Sequence, residues 1–166
     1  PFGEFTATED LLPRKAVVTE INHQPCIQIN ITPEPHLLIA GGGYDARPLA
    51  EMAKSLGWMV TVWDPRPANA RKAFFPAVDH LLRNNASELA AFCQAQHVSA
   101  AVLMAHSVSI DANVLSAVKA CPFDYLGLLG PGHRKREVLQ QANIDEAALP
   151  VKLAGPIGLE LGGDTP

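Results

Sequence analysis

A doubly wound α/β domain with a mostly parallel sheet is the fold class this 166-residue sequence predicts. Three observations predict it. From His36 onward, short apolar runs alternate with stretches of helical periodicity. The phrase "GGGYDA" stands between the first such run and the first helix, and an acid, Asp64, closes the next run. Strand and helix alternating at this spacing imply parallel βαβ units with right-handed crossovers, and a sheet covered on both faces.

Taken in order, "RKAVVTEI" and "QPCIQINI" are β-prone runs separated by "NHQ", with Val17 and Thr19, then Ile27, Ile29 and Ile31, at alternating positions. The simplest reading is a hairpin. We assign residues 1–33 to the β-hairpin tail of an N-terminal domain and residues 34–166 to the α/β domain. "HLLIA" reads as a buried strand, followed by a helix carrying Leu49, Met52, Ala53 and Leu56 on one face and stopped by Gly57. "WMVTVWD" is the next strand and "AVDHLL" the third. "ASELAAFCQAQ" is a helix with Ser87 as a capping candidate. "AAVLMAH" is the fourth strand, and "SIDANVLSAVKA" a helix with Ser109 as N-cap and Asp111 in the first turn, where its charge suits the helix dipole. "YLGLLG" is the fifth strand and "HRKREVLQQA" its helix. The whole is Rossmann-like, and its ligand crevice is expected beyond the carboxyl ends of the strands, where the strand order reverses.

Composition narrows the function classes. Apolar residues make up 48% and charged residues 18%, as in soluble globular chains. A net charge of -4 lacks the basic face that displaces counterions, so no nucleic-acid partner is expected. No unbroken apolar span long enough to cross a bilayer occurs, so no membrane partner is expected either. Cys26, Cys93 and Cys121 are widely spaced without a CxxC pair, which indicates neither a disulfide framework nor a zinc site and fits a cytoplasmic location. The histidines have no metal-ligand spacing, and no metal is expected.

The chemistry concentrates at the strand ends. "GGGYDA" fits G-x-G-x-x-A: Gly41 for the tight turn, Gly43 for close backbone approach of a pyrophosphate, and small Ala46 for helix–sheet packing. The helix that follows offers free N–H groups to an anion. Asp64 stands where an acid commonly holds ribose hydroxyls. Asp45 argues the other way: its charge repels a phosphate if it faces the ligand and costs nothing if it caps the helix. Arg66 either balances a ligand's charge or pairs with a surface acid, and His106 at the end of the fourth strand lines the crevice or satisfies loop carbonyls. Arg134, Lys135 and Arg136 open a helix, where cations oppose the dipole; either an anionic partner resolves that conflict or the three form a solvated basic face.

The last phrase, "GPIGLELGGDTP", resembles the segment near the carboxyl end of the xanthine dehydrogenase accessory factor family, XdhC/CoxI. The other matches arrive in order: Gly41-x-Gly43 with Ala46, the strand ending at Asp64, the stretch from His106 to Asp111, and "YLGLLG" followed by Lys135 and Arg136. The resemblance runs from about Leu37 to the end and identifies the region with that family's C-terminal Rossmann domain. It implies a non-catalytic accessory protein or chaperone that binds molybdenum cofactor, assists its maturation, and inserts it into a xanthine dehydrogenase-like molybdoenzyme. A sulfur-donating enzyme would be a second partner, and an exchanged hairpin a route to a homodimer. The family commonly has His and an apolar residue where Tyr44 and Asp45 stand, and Ser where Pro131 follows Gly130. Gly41, Gly43, Tyr44, Asp64, Arg66, His106 and Lys135 are the cofactor-binding residues this reading names. The alternative is an NAD(P)-dependent oxidoreductase using the same crevice, with His106 as the one plausible proton donor.

Overall fold

The computed structural model describes residues 16–21, 24–29 and 33–158. Two compact units divide the chain, Pro1–Pro33 and Glu34–Pro166. In the first, β1 (Ala16–Ile21) and β2 (Gln24–Ile29) pair antiparallel with Ala16 opposite Ile29 and Ile21 opposite Gln24. Ile31, counted above in the hairpin pattern, lies outside the described residues, as do the last residues of the "GPIGLELGGDTP" phrase.

The second unit is a six-stranded, wholly parallel sheet with α1 (Ala46–Ser55), α2 (Leu89–Ala95), α3 (Val108–Val118) and α4 (Gly132–Ala142) between its strands. Its strands are β3 (His36–Ala40), β4 (Met59–Trp63), β5 (His80–Leu82), β6 (Ala100–Leu103), β7 (Tyr125–Leu128) and β8 (Leu153–Ala154), and their order is β5-β4-β3-β6-β7-β8. The chain works outward from β3 to one edge, then returns to the centre and works outward to the other. The order therefore reverses between β3 and β6, and the crevice of a doubly wound sheet opens at their carboxyl ends.

Alternation along the central strands explains why both faces are covered. Leu37 and Ile39 pack with Ala46, Ala50 and Ala53 of α1 and with Phe75 and Val78. Leu38 and Ala40 turn to the opposite face and join Leu89, Cys93, Val114, Leu115 and Val138 from α2, α3 and α4. Small residues at three successive turns of α1 let that helix lie close to the sheet, which carries the glycine loop preceding it down onto the strand ends.

Several local readings change. α3 begins at Val108 with Ser107, not Ser109, at its N-cap, and the Ser107 side chain makes no capping bond. The Ser87 region is a 3-10 turn (Ala86–Glu88) before α2, with Asn85 at its N-cap. The third strand of this sheet in chain order, β5, is only three residues long. β8 has no counterpart in the sequence reading, because two residues carry no periodicity.

Candidate functional site

The loop between β3 and α1 requires its first glycine twice over. Gly41 has φ of +130°, and a Cβ there would stand 2.5 Å from the backbone carbonyl of Met104 on the neighbouring β6 segment. Its N–H donates to the Trp63 carbonyl at 2.7 Å, tying the loop to the end of β4. Gly42 donates its N–H to Asp64 Oδ2 at 2.9 Å. At Gly43 a Cβ would lie 2.9 Å from Asp45 Oδ1 and 3.8 Å from the His106 ring. Asp45 and His106 thus border the position where the motif leaves a side chain out.

Asp64 is fully buried, and its carboxylate is saturated. It accepts from Gly42 N, Arg66 N, Arg66 Nε, Arg66 Nη2 and Asn69 Nδ2, all between 2.7 and 3.0 Å. Burial pushes its carboxyl upward, but these donors, Arg66 first, bring it down to about 2. The hydroxyl-orienting role expected for Asp64 does not fit this arrangement: with five donors in place, no lone pair is left to accept from a ribose. The acid fastens the glycine loop instead. Arg66 is correspondingly an internal partner. Its guanidinium also donates to the Ala105 carbonyl at 3.0 Å, and the ion pair with Asp64 holds it charged.

The second wall of the crevice is Met104–Ser107. Ala105 is gripped on both sides, since its carbonyl accepts from Arg66 and its N–H donates to Asp111 Oδ1 at 3.0 Å. Asp111 is fully buried and pairs with Arg134 Nη2 at 2.5 Å. It stands in the first turn of α3, as the sequence reading placed it, and it is also the anchor of the loop before that helix. Beyond Ala105, His106 takes the left-handed conformation at φ +56°, unusual for a non-glycine residue, and projects a side chain that is 61% exposed. Its Nε2 lies 2.6 Å from Asp45 Oδ2, bridging the two walls across the point where the strand order reverses. Asp45 occupies the N-cap position of α1 yet makes no capping bond, so its charge faces His106 rather than the helix amides.

Six of the seven residues singled out above, Gly41, Gly43, Tyr44, Asp64, Arg66 and His106, belong to these adjoining loops. Lys135 is held elsewhere. Its Nζ pairs with Glu146 at 2.6 Å and its stem packs where a Gly155 side chain would be, so the expected charge balance with a ligand is already met within the chain. Arg134 has likewise found an internal anion. These two cations at the start of α4 thus answer to Asp111 and Glu146. Tyr44 is 82% exposed, with the Arg47 guanidinium 4.4 Å from its ring centre and 3.7 Å from that of Phe74. Sequence reasoning missed Arg47; its place three residues after Tyr44, in the first turn of α1, was the available signal. A shallow groove of about 600 Å³ between α3 and α4 is lined by Val108, Glu137, Gln140 and Gln141. Among the described residues no group of His, Cys, Asp and Glu is arranged to hold a metal, and no helix is long and apolar enough to cross a membrane.

Fold and loops together define a Rossmann domain with a switch-point crevice between a glycine-rich turn and a strained histidine loop. Residues 37–166 match the XdhC Rossmann domain, and the chain belongs to that family. It is 30% identical over 136 residues to a Bacillus subtilis protein described as a probable xanthine dehydrogenase subunit, covering 82% of this chain and 40% of that protein. Among solved structures, a xanthine dehydrogenase from Bacillus halodurans superposes with a TM-score of 0.64 at 27% identity, over 84% of this chain and 41% of the other. A lactate dehydrogenase from Eimeria maxima, solved with NADH and oxamate, reaches a TM-score of 0.50 at 12% identity over 71% of this chain and 43% of its own, a likeness of fold alone. The chain spans about two fifths of the family relatives it matches.

Proposed function

We propose that this domain is a non-catalytic accessory module for a xanthine dehydrogenase-like molybdoenzyme, holding molybdenum cofactor as cargo for maturation and handover. The observation that carries the proposal is the saturation of Asp64. A nicotinamide enzyme of this fold uses the acid at the end of its second strand to hold the ribose, and here five internal donors have consumed that acceptor. Gly41 and Gly42 spend their N–H groups on Trp63 and Asp64, so what remains to a ligand is the Gly43 backbone, the first amides of α1 ahead of Pro48, and the exposed His106. That set suits a phosphate group at the loop better than a dinucleotide stretched along the strand ends. The residues fit a single phosphate in kind: Gly41 sets the turn, Gly43 keeps the backbone bare, Tyr44 and His106 flank it, and Arg66 holds the second wall in place.

The names of the relatives support the xanthine dehydrogenase connection. Cofactor bound here would bring the redox-active metal that the client enzyme uses, and this chain would supply burial and release. A transient interface with that client follows from a handover role, with a sulfur-donating enzyme as a further partner and the cytoplasm as the compartment.

The test is thermal unfolding of the chain with anaerobic molybdenum cofactor, NAD(H), NADP(H) and adenine nucleotides, repeated on Gly43→Asp. A rise in Tm with molybdenum cofactor that the substitution removes is the expected result. Steady nicotinamide turnover with any substrate of a panel would sink the proposal and revive the oxidoreductase reading, with His106 as its proton donor.

A further inference from the structure

We propose that Arg47 and Arg71, gathered on the Phe74 ring beside the glycine turn, form the cationic rim that receives the phosphate group of the ligand. The inference rests on the reading that the crevice takes a phosphate-bearing ligand, and it names the positive charge which that reading lacks. The charge is lacking because the fold has spent the cations that the sequence singled out: Arg66 on Asp64, Arg134 on Asp111 and Lys135 on Glu146. Arg47 differs from all three. Among the described residues neither it nor Arg71 pairs with a carboxylate. Asp45, two residues before Arg47, is turned to His106, and Glu51, one turn further along α1, forms no ion pair. α1 carries no acid in its first turn, so Arg47 stands against the positive end of the helix dipole without an acid of the fold to offset it.

Contacts on both sides of the glycine turn place the two arginines at its rim. Tyr44 follows Gly43 directly, and the Arg47 guanidinium carbon lies 4.4 Å from the Tyr44 ring centre and 3.7 Å from that of Phe74. On the other side, a Cβ at Gly42 would stand 3.1 Å from the Asn69 backbone, so the segment that begins at Asn69 packs against the turn. Arg71 belongs to that segment and brings its guanidinium to 5.7 Å from the same Phe74 ring. Two like charges thus share one ring, an arrangement that their mutual repulsion opposes and a bound anion relieves.

The posture of Arg47 suits recognition. Its Nε is covered and has no hydrogen-bond partner, whereas its terminal nitrogens are open to solvent and bond no protein group. The side chain is therefore held by stacking on two rings and not by a polar partner, so little rotamer freedom remains to be lost when a ligand arrives. Its outer N–H groups stay free to meet two phosphate oxygens in parallel, as a planar fork does.

Inorganic phosphate is the probe. Its binding to the full chain is to be measured by phosphorus NMR titration for the wild type, Arg47→Gln, Arg71→Gln and Arg136→Gln, each of which removes one positive charge. Arg136 is exposed on α4, so its variant reports the effect of net charge alone. The expected result is binding weakened about tenfold by Arg47→Gln, about threefold by Arg71→Gln, and less than about twofold by Arg136→Gln. Saturable binding that the wild type lacks, that Arg47→Gln leaves unchanged, or that Arg136→Gln weakens equally would overturn the inference. Tm is recorded for each variant, and if Arg47→Gln does not fold, an unchanged affinity in Arg71→Gln overturns it in the same way. Thermal unfolding with anaerobic molybdenum cofactor separates the two readings. Phosphate binding that falls with Arg47 while the cofactor leaves Tm unmoved keeps the rim and removes the delivery role; a cofactor-induced rise that the wild type and Arg47→Gln share in full does the reverse.

Discussion

Two buried aspartates flank the crevice, and they are opposites. Asp64 and Asp111 are both fully shielded from solvent, both paired with an arginine, and both end up supporting Ala105, one through Arg66 and the other directly. Burial drives each carboxyl toward its neutral form. At Asp64 five donors overcome it and the group sits near 2; at Asp111 the Arg134 guanidinium and the Ala105 N–H oppose it, and the carboxyl stays above its ordinary range. An ion pair alone does not secure a buried charge, and the number of peptide and amide donors decides the outcome. The glycine-loop wall is therefore clamped by a charge the fold stabilises, and the histidine-loop wall by one it merely tolerates.

The largest effect expected from this contrast is at Asp64. Asp64→Asn puts an amide among donors that need an anion, and a loss of about 3–5 kcal/mol is expected from urea unfolding. The acid limb sharpens the test. Since the folded carboxyl is lowered from 3.8 to about 2, its contribution is fully present above the unfolded value of 3.8 and is lost as pH falls through that interval. The slope of stability against pH across it should flatten in Asp64→Asn. An unchanged slope would show that Asp64 is not held as an anion.

At the other wall the order of two substitutions is the informative quantity. Arg134→Met leaves Asp111 charged and buried with one peptide donor, costing about 3 kcal/mol near neutral pH. Asp111→Asn costs less, about 1–2 kcal/mol, because Arg134 is partly exposed and can turn to water while the amide oxygen keeps Ala105 N–H. The pH sign is the reverse of that at Asp64. A carboxyl raised in the folded state favours folding below its unfolded value near 3.8, and the advantage is lost as pH rises to the folded value. The Arg134→Met deficit should therefore shrink on moderate acidification, as Asp111 takes up its proton. A deficit that grows instead would contradict the assignment.

The contrast also marks how far the sequence could be read. The alternation of "HLLIA", "WMVTVWD" and "AAVLMAH" with helical stretches is a local property, and it fixes the parallel sheet and the place where its order reverses. Gly41, Asp64 and His106 are strand-end positions, so the crevice was legible with them. The roles were not, because they depend on partners well separated in the chain: Asp111 on Arg134, Lys135 on Glu146, Asp64 on Gly42. Asp111 in the first turn of α3 looks the same in sequence whether it serves the dipole or a buried arginine. Lys135 and Arg134 looked like a basic helix start awaiting an external anion, and the fold supplied internal ones. β8 escaped because Leu153 and Ala154 are strand residues only by pairing with Leu126 and Gly127.

The smallest expected effect lies at the opposite end of the sheet, where a buried titratable group is held by neutral hydrogen bonds. His36 is buried at the amino end of β3, with Nδ1 3.0 Å from the Gln96 carbonyl and Nε2 2.8 Å from Thr61 Oγ1. Burial lowers its affinity for a proton below the ordinary 6.5, partly offset by the Gln96 carbonyl. Here the neutral form is the one the fold accommodates, and the unfolded chain binds the proton first. Stability from His36 is then complete above pH 6.5 and declines as pH falls toward the lowered folded value. Comparing wild type with His36→Gln by urea unfolding on either side of that value isolates it: the wild type should lose more than the variant on acidification. The difference is expected to be smaller than either carboxylate effect, because two neutral hydrogen bonds stand here in place of an ion pair. If the variant loses as much as the wild type, the imidazole is accommodated in both protonation states, and a buried group without an ion pair would be no more sensitive to pH than Asp64 is above its unfolded value.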